Sequence, residues 1–125
     1  MDRLFIFSNR IIYGVSQVSY DPHKAIDFIF ENAPLYAKAK GQLAELENYR
    51  HSLKAIKMAQ SGETSVTAQE REAYRSEDYQ NLCKAIGAAT EEAESLRWKL
   101  ESAKMRFEAW RTQEASNRQI DRMTQ

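Results

Sequence analysis

The longest periodic pattern in this 125-residue chain lies in residues 79–110, which read YQNLCKAIGAATEEAESLRWKLESAKMRFEAW. Apolar and small residues recur there at alternating spacings of three and four. This spacing is the heptad of a coiled coil, whose apolar stripe leaves water only by packing on another stripe. We therefore predict one long helix with a continuous oligomer seam, formed by Tyr79, Leu82, Ile86, Ala89, Ala93, Leu96, Leu100, Ala103, Phe107 and Trp110.

Two further helical segments precede this seam. Asp21-Pro22 marks a helix start, because aspartate caps free amides and proline fits the first helical position. Pro34 is expected to kink or end that helix, which gives a short apolar piece at about 22–33 and a second run at 35–60. The second run has a seam of its own, which we predict to shift by three residues after Leu46: Tyr36, Ala39, Leu43, Leu46, Tyr49, Leu53 and Ile56.

The connection between the long runs contains the usual signals of a break and of new helix starts. Gly62 lies among small polar residues at 61–64, which is typical of a loop. Thr67 and Glu70 match a capping box, so a short helix is predicted at 67–74. Ser76 can cap the last helix, with acidic residues in its first turn. We expect that helix at about 77–113, followed by a frayed polar tail at 111–125.

These elements predict an all-α protein, an antiparallel long-helix hairpin or coiled coil with a short connector helix. Two helices bury little apolar surface, so a homodimer is expected as well. Residues 1–20 differ from the rest, because β-branched and aromatic types dominate there. We interpret this segment as an N-terminal arm that is either extended, with a marginal hairpin, or disordered. Residues 21–125 then form the helical hairpin.

Composition excludes several classes of protein. Eighteen basic and eighteen acidic residues give no net charge, and a single cysteine excludes a disulfide framework. No run approaches the roughly 20 apolar residues that a bilayer requires, and the apolar patch at residues 4–7 is too short for a signal peptide. We therefore expect no membrane association and a cytoplasmic location.

The residues that could carry chemistry are few. His23 and His51 lie far apart without metal-ligand spacing around them, so both are interpreted as exposed helix residues. Cys83 adjoins the seam and is expected to pack as a small core residue. The carboxylates of Glu91, Glu92 and Glu94 would lie on a solvated helix face. We expect no catalytic residue, no cofactor, no metal and no enzymatic activity.

Binding to nucleic acid is an alternative that the last helix raises. Trp98 could stack on a base, and basic residues surround it. However, a glutamate lies three positions before each of three of these basic residues, which is the spacing of ordinary ion pairs within a helix. A chain without net charge also lacks general attraction for phosphate. We keep a single-stranded nucleic-acid-binding recombination accessory as an alternative, and its candidate residues are Arg97, Lys99, Lys104 and Arg106, flanked by Arg111.

A surface for protein partners is the favoured interpretation. Trp98 and Met105 lie seven residues apart on the helix face opposite the seam, where a plain coiled coil carries charges. Tryptophan and methionine are enriched at interface centres. Packing against the arm or the short helix at 67–74 remains the other interpretation. Trp110 and Arg111 form a second candidate patch, although Trp110 could instead pack in the seam.

Several segments in this order resemble a family of small helical proteins encoded by tailed phages and prophages. They are YRHSLKAIKM at 49–58, AQEREAY at 68–74 followed by Asp78-Tyr79, LRWKLESA at 96–103 and WRTQEASNR at 110–118. The resemblance covers about residues 23–122 and assigns no role to any residue. Members tend to be encoded among genes for recombination and DNA metabolism.

The resemblance implies a phage accessory factor. Together with the candidate surface at Trp98 and Met105, it leads us to expect a non-enzymatic protein that acts by binding a protein partner. That partner would belong to the recombination or replication machinery, or to a host defence complex that the protein inhibits, such as an exonuclease, a restriction enzyme or a CRISPR nuclease. A pure oligomerisation or scaffold module is a third possibility.

Overall fold

The computed structural model describes residues 20–124, and this range holds three helices and no strand: α1 (Pro22–Gln60), α2 (Val66–Arg75) and α3 (Glu77–Met123). The two long helices, α1 and α3, pack against each other as an all-α hairpin, and α2 is the connector helix. The predicted fold class is confirmed. The predicted N-terminal arm lies outside the described residues, apart from Tyr20.

The chain divides into two compact units, each of which takes part of α1 and part of α3. One unit is Glu31–Leu100, which contains α2 and both turns of the hairpin. The other joins the chain up to Phe30 with the chain from Glu101 onward. In this second unit Ala25 is buried, and the Arg106 guanidinium lies 5.7 Å from the centre of the Tyr20 ring.

Burial along α3 repeats with the predicted heptad. Leu82 and Ala93 are buried, and the other seam positions from Tyr79 to Trp110 are half-buried. Nearly all residues between them are exposed. The seam of α3 is therefore the one predicted from the sequence.

The seam of α1 differs from the prediction after Leu46. The predicted shift to Tyr49 and Ile56 is wrong, since these side chains are 48% and 44% exposed, while Arg50 and Lys57 are half-buried. The less exposed positions continue at spacings of three and four through Arg50, Leu53 and Lys57. A shift in α1 alone would take its stripe out of phase with the unbroken heptad of α3, so the polar residues stay in the seam.

Pro34 does not divide α1, contrary to the predicted separation into helices at 22–33 and 35–60. The helix runs from Pro22 to Gln60 with Pro34 inside it. Pro34 is exposed, two positions before the half-buried Tyr36. Because proline has no N–H group, the carbonyl of Phe30 receives no helical hydrogen bond from position 34. On this exposed side of the helix, water can supply the missing hydrogen bond.

The helix caps confirm two predictions and correct a third. The amide of His23 donates to Asp21 Oδ1 at 2.9 Å, and the amide of Tyr79 donates to Ser76 Oγ at 3.2 Å, as expected for caps. The capping box at Thr67 is wrong. Ser65 has an extended backbone and accepts from the amide of Ala68, so α2 begins before Thr67 can act as a cap.

The last helix is longer than predicted and reaches Met123, so the frayed tail proposed for residues 111–125 is wrong within the described range. This segment contains no glycine or proline. Its polar side chains bond along the helix, for example Gln113 to Asn117 at 3.1 Å and Arg122 to Gln119 at 2.6 Å. Such pairs support a helix that has no apolar seam, and the segment beyond Glu114 is exposed.

The connector helix α2 is fixed to the hairpin by its small buried face and by ion pairs. Ala73 is completely buried, and the Tyr74 and Tyr79 rings meet edge to face with centres 5.2 Å apart. Lys54 contacts Glu70 at 3.0 Å, and Lys57 contacts Asp78 at 2.7 Å. Both lysines lie in the last two turns of α1, so the contacts hold α2 and the start of α3 against its end.

Truncation of a seam leucine tests the seam of α3. Leu82→Ala removes a buried side chain and is expected to lower the free energy of unfolding by about 2–4 kcal/mol. Val66→Ala is the control, because Val66 is 64% exposed and its truncation should cost well under about 1 kcal/mol. Urea unfolding followed by circular dichroism measures both. Equal losses in the two variants would contradict the seam.

Two glycines should respond to alanine with opposite signs. Gly62 has a φ of +75°, a left-handed conformation that costs an L side chain about 1–2 kcal/mol, so Gly62→Ala should destabilise the protein. Gly41 lies inside α1 with open space at the position of a Cβ. Gly41→Ala should stabilise by about 0.5–1 kcal/mol. Thermal unfolding of the two variants measures the change in melting temperature caused by each substitution. A higher melting temperature in both variants would contradict the left-handed turn at Gly62, and a lower one in both would contradict the open position at Gly41.

Candidate protein-binding surface

Trp98 is a large exposed aromatic side chain on α3. It lies two residues after the seam residue Leu96, on the far side of the helix, and is 56% exposed. The guanidinium carbon of Arg97 lies 4.6 Å from the centre of the indole ring. This is the geometry of a cation–π contact, which holds one face of the ring against the protein. The rest of the Trp98 side chain faces solvent.

Arg97 is itself held by Glu94, one turn earlier on α3. Arg97 Nη2 donates to Glu94 Oε1 at 2.7 Å, and Arg97 Nε donates to both carboxylate oxygens at 3.2 Å. These hydrogen bonds lower the pKa of Glu94 below its usual value, and the charges of Arg97 and Lys40 lower it further. Glu94, Arg97 and Trp98 therefore form a connected row on the helix surface.

The basic residues of the nucleic-acid alternative are largely engaged within the protein. Besides Arg97 with Glu94, Lys104 contacts Glu101 at 3.4 Å and Arg111 contacts Glu108 at 2.9 Å. These are the three pairs that the sequence predicts. Arg106 lies over the Tyr20 ring, and Lys99 lines a groove between α1 and α3.

The remaining candidate residues for partner binding have different surroundings. Met105 is 57% exposed, as the predicted face requires. Trp110 is half-buried at a seam position, and its ring centre lies 5.8 Å from that of Phe107. These contacts favour seam packing for Trp110. Arg111 is exposed and paired with Glu108, and together with Trp110 it lines a shallow groove of about 400 Å³ on α3.

The side chains considered for catalysis and metal binding are dispersed. His23 and His51 are exposed, and no group of three or more histidine, cysteine, aspartate or glutamate side chains in residues 20–124 is placed to hold a metal ion. Cys83 is exposed, so the predicted core packing is wrong: it follows Leu82 in the chain, and the helical turn carries it off the seam. Within residues 20–124, no helix has the length and apolarity to span a membrane.

A groove between α1 and α3 is a feature that the sequence analysis missed. It has a volume of about 690 Å³, and its lining includes Ala39 and Leu96 from the two seams. The side chains that border it are Leu35, Lys38, Gln42, Ala88, Glu91, Glu92, Ser95 and Lys99. No signal within one helix marks this groove, because its lining comes from both α1 and α3.

Comparison with known proteins finds no matching family model, no matching curated protein and no matching solved structure.

The contact between Arg97 and Glu94 can be tested through the pKa of Glu94. Because the pKa of Glu94 is lower in the folded protein than in the unfolded chain, its contribution to stability is present above the pKa of the unfolded chain and is lost as the pH falls through the lower folded pKa. Arg97→Met should raise the pKa of Glu94 towards its ordinary value. Carbon-detected NMR titration of the carboxylate measures the change.

Lys104→Met provides the matched control for this titration. It removes a basic residue from another pair of α3, with Glu101, and should leave the pKa of Glu94 where it is. Equal pKa values of Glu94 in the wild type and in Arg97→Met would show that the pair with Arg97 does not hold in solution.

Proposed function

We propose that this protein is a non-enzymatic accessory protein that acts by binding another protein through the surface around Trp98. The observation that carries the proposal is an exposed tryptophan whose ring lies against Arg97, which is itself hydrogen-bonded to Glu94. Tryptophan is enriched among the residues that dominate binding energy at protein interfaces. A tryptophan side chain that already contacts Arg97 in the free protein has less conformational freedom to lose when a partner covers it than one without such a contact.

Charge supports a protein partner over a nucleic acid. The chain has equal numbers of acidic and basic residues, and three of the five basic residues near Trp98 are paired with carboxylates of the same helix. Binding to phosphates would require these pairs to open, and a neutral chain supplies no general attraction to compensate. A partner with an apolar or aromatic cleft can cover Trp98 and leave the pairs intact.

The biological setting is proposed from the sequence resemblance to small helical proteins of tailed phages and prophages. In that setting the protein acts in the cytoplasm of the bacterial host. Its partner is a component of recombination or replication, or a host defence nuclease that it inhibits, with an exonuclease, a restriction enzyme or a CRISPR nuclease as the candidates. The resemblance supports the setting, and the Trp98 surface supports the mode of action.

Affinity capture with a Trp98 variant tests this proposal. The tagged protein is incubated with host lysate from infected and uninfected cells, and bound proteins are identified by mass spectrometry. Trp98→Ala should reduce recovery of the partner about 30-fold, as expected for a residue worth about 2 kcal/mol at an interface centre. Met123→Ala is the control, because Met123 is also exposed, at 75%, and lies near the end of α3.

Three other outcomes would count against this function. Equal recovery with both variants would remove the Trp98 surface. Binding to single-stranded DNA that weakens steeply with salt and with Arg97→Glu would favour the nucleic-acid alternative. No captured partner, together with assemblies larger than a dimer, would favour a scaffold.

A further inference from the structure

The hairpin buries too little apolar volume to be the whole of the core. Among residues 20–124 only six apolar side chains are buried, and four of these are alanines: Ala25, Ala39, Leu53, Ala73, Leu82 and Ala93. Large apolar side chains remain half-exposed beside the seam of α1 instead. Leu35, Tyr49 and Ile56 are 52%, 48% and 44% exposed. We call the helix side that carries these three residues the open edge of α1.

The connector helix covers only the opposite edge of α1. Lys54, which contacts Glu70 of α2 and lies 5.0 Å from the centre of the Tyr74 ring, directly follows the seam residue Leu53. Leu35 directly precedes the seam residue Tyr36 and borders the groove. In a helix with heptad spacing, a residue directly after a seam position lies on one side of the seam, and a residue directly before a seam position lies on the other side. The open edge and the groove are therefore on the side that α2 leaves uncovered.

The charges along the groove are arranged for a symmetric partner. Glu92 and Lys99 both line it on α3, and seven residues separate them by about 10.5 Å along the helix, too far for them to pair within one chain. Their midpoint falls between Ser95 and Leu96, which also line the groove. A two-fold axis at this midpoint places Lys99 of each chain beside Glu92 of the other.

The side chains near this midpoint also allow two helices to approach closely. Ser95 and Ala88 lie seven residues apart on the groove side of α3, and both are small and exposed. Leu96 and Leu35 supply apolar surface next to them. The groove side of α3 thus has small residues at its centre, apolar side chains next to them, and an acidic and a basic residue at equal distances from the centre. A second copy of the same chain can match all three features.

We propose that the groove is the interface of a symmetric homodimer, in which two α3 helices cross antiparallel about Ser95 and form reciprocal Glu92–Lys99 pairs between chains. Trp98 is not among the residues that line the groove. The dimer therefore rests on different residues from the proposed partner-binding surface, and the two proposals can fail separately.

A charge-exchange experiment tests this interface. Sedimentation velocity should show a dimer of the full chain at tens of micromolar. Lys99→Glu alone places like charges at both reciprocal contacts and should weaken dimerisation at least about tenfold, and Glu92→Lys alone should do the same. A mixture of the two variants should recover the dimer, because each heterodimer again has two pairs of opposite charge.

Lys84→Glu is the matched control, since it makes the same change in net charge as Lys99→Glu at an exposed position of α3 outside the groove. It should leave dimerisation unchanged, and circular dichroism should show wild-type helicity for all variants. A monomeric wild type overturns the proposal and leaves the groove for a different occupant. Variants that dimerise like the wild type, or a mixture that does not recover, overturn it as well.

Discussion

The seam of α3 sets the register of the structure. Its small and apolar residues keep the three-four spacing from Tyr79 to Trp110 without interruption, and α1 must present a stripe in the same phase to pack against it. This constraint outweighs local hydrophobicity in α1, where Arg50 and Lys57 take seam positions and Tyr49 and Ile56 do not. The long stems of these basic residues can lie along apolar surface while the charged ends reach the edge, as Lys57 does with Asp78.

The connector helix α2 makes the two sides of the α1–α3 pair different, because it packs along one side only. Gly62 permits the left-handed turn after α1, Ser65 and Ser76 cap the helices on either side, and Lys54 draws α2 towards one side of the hairpin. The pKa of Lys54 is raised above its ordinary value by its interaction with the Tyr74 side chain and then by Glu70, which is the direction expected when both contacts favour the charged lysine. Because α2 occupies one edge only, the other edge keeps the groove.

The sequence was sufficient for the fold class and the seam of α3, because both depend on periodicity within a single helix. It was insufficient at Pro34 and after Leu46. Whether α1 continues through the proline, and which of its residues form the seam, depends on how α1 packs against α3. A proline on the solvent side of a packed helix is tolerated, and a stripe in register with a partner helix can include Arg50 and Lys57. The groove could not be predicted for the same reason, since its lining comes from two helices whose relative rotation only the packed structure fixes.

The alanine-rich seam has a consequence for the way in which stability varies with temperature. The heat capacity change of unfolding grows with the apolar surface that becomes exposed, and alanine side chains expose little of it. Four of the six buried apolar residues in 20–124 are alanines, so we expect a smaller heat capacity change per residue, and a shallower stability curve, than in a protein whose core is built from large side chains. The resistance of the hairpin to cold and to heat then varies gently over a wide range of temperature, in contrast to a globular core rich in leucine and phenylalanine.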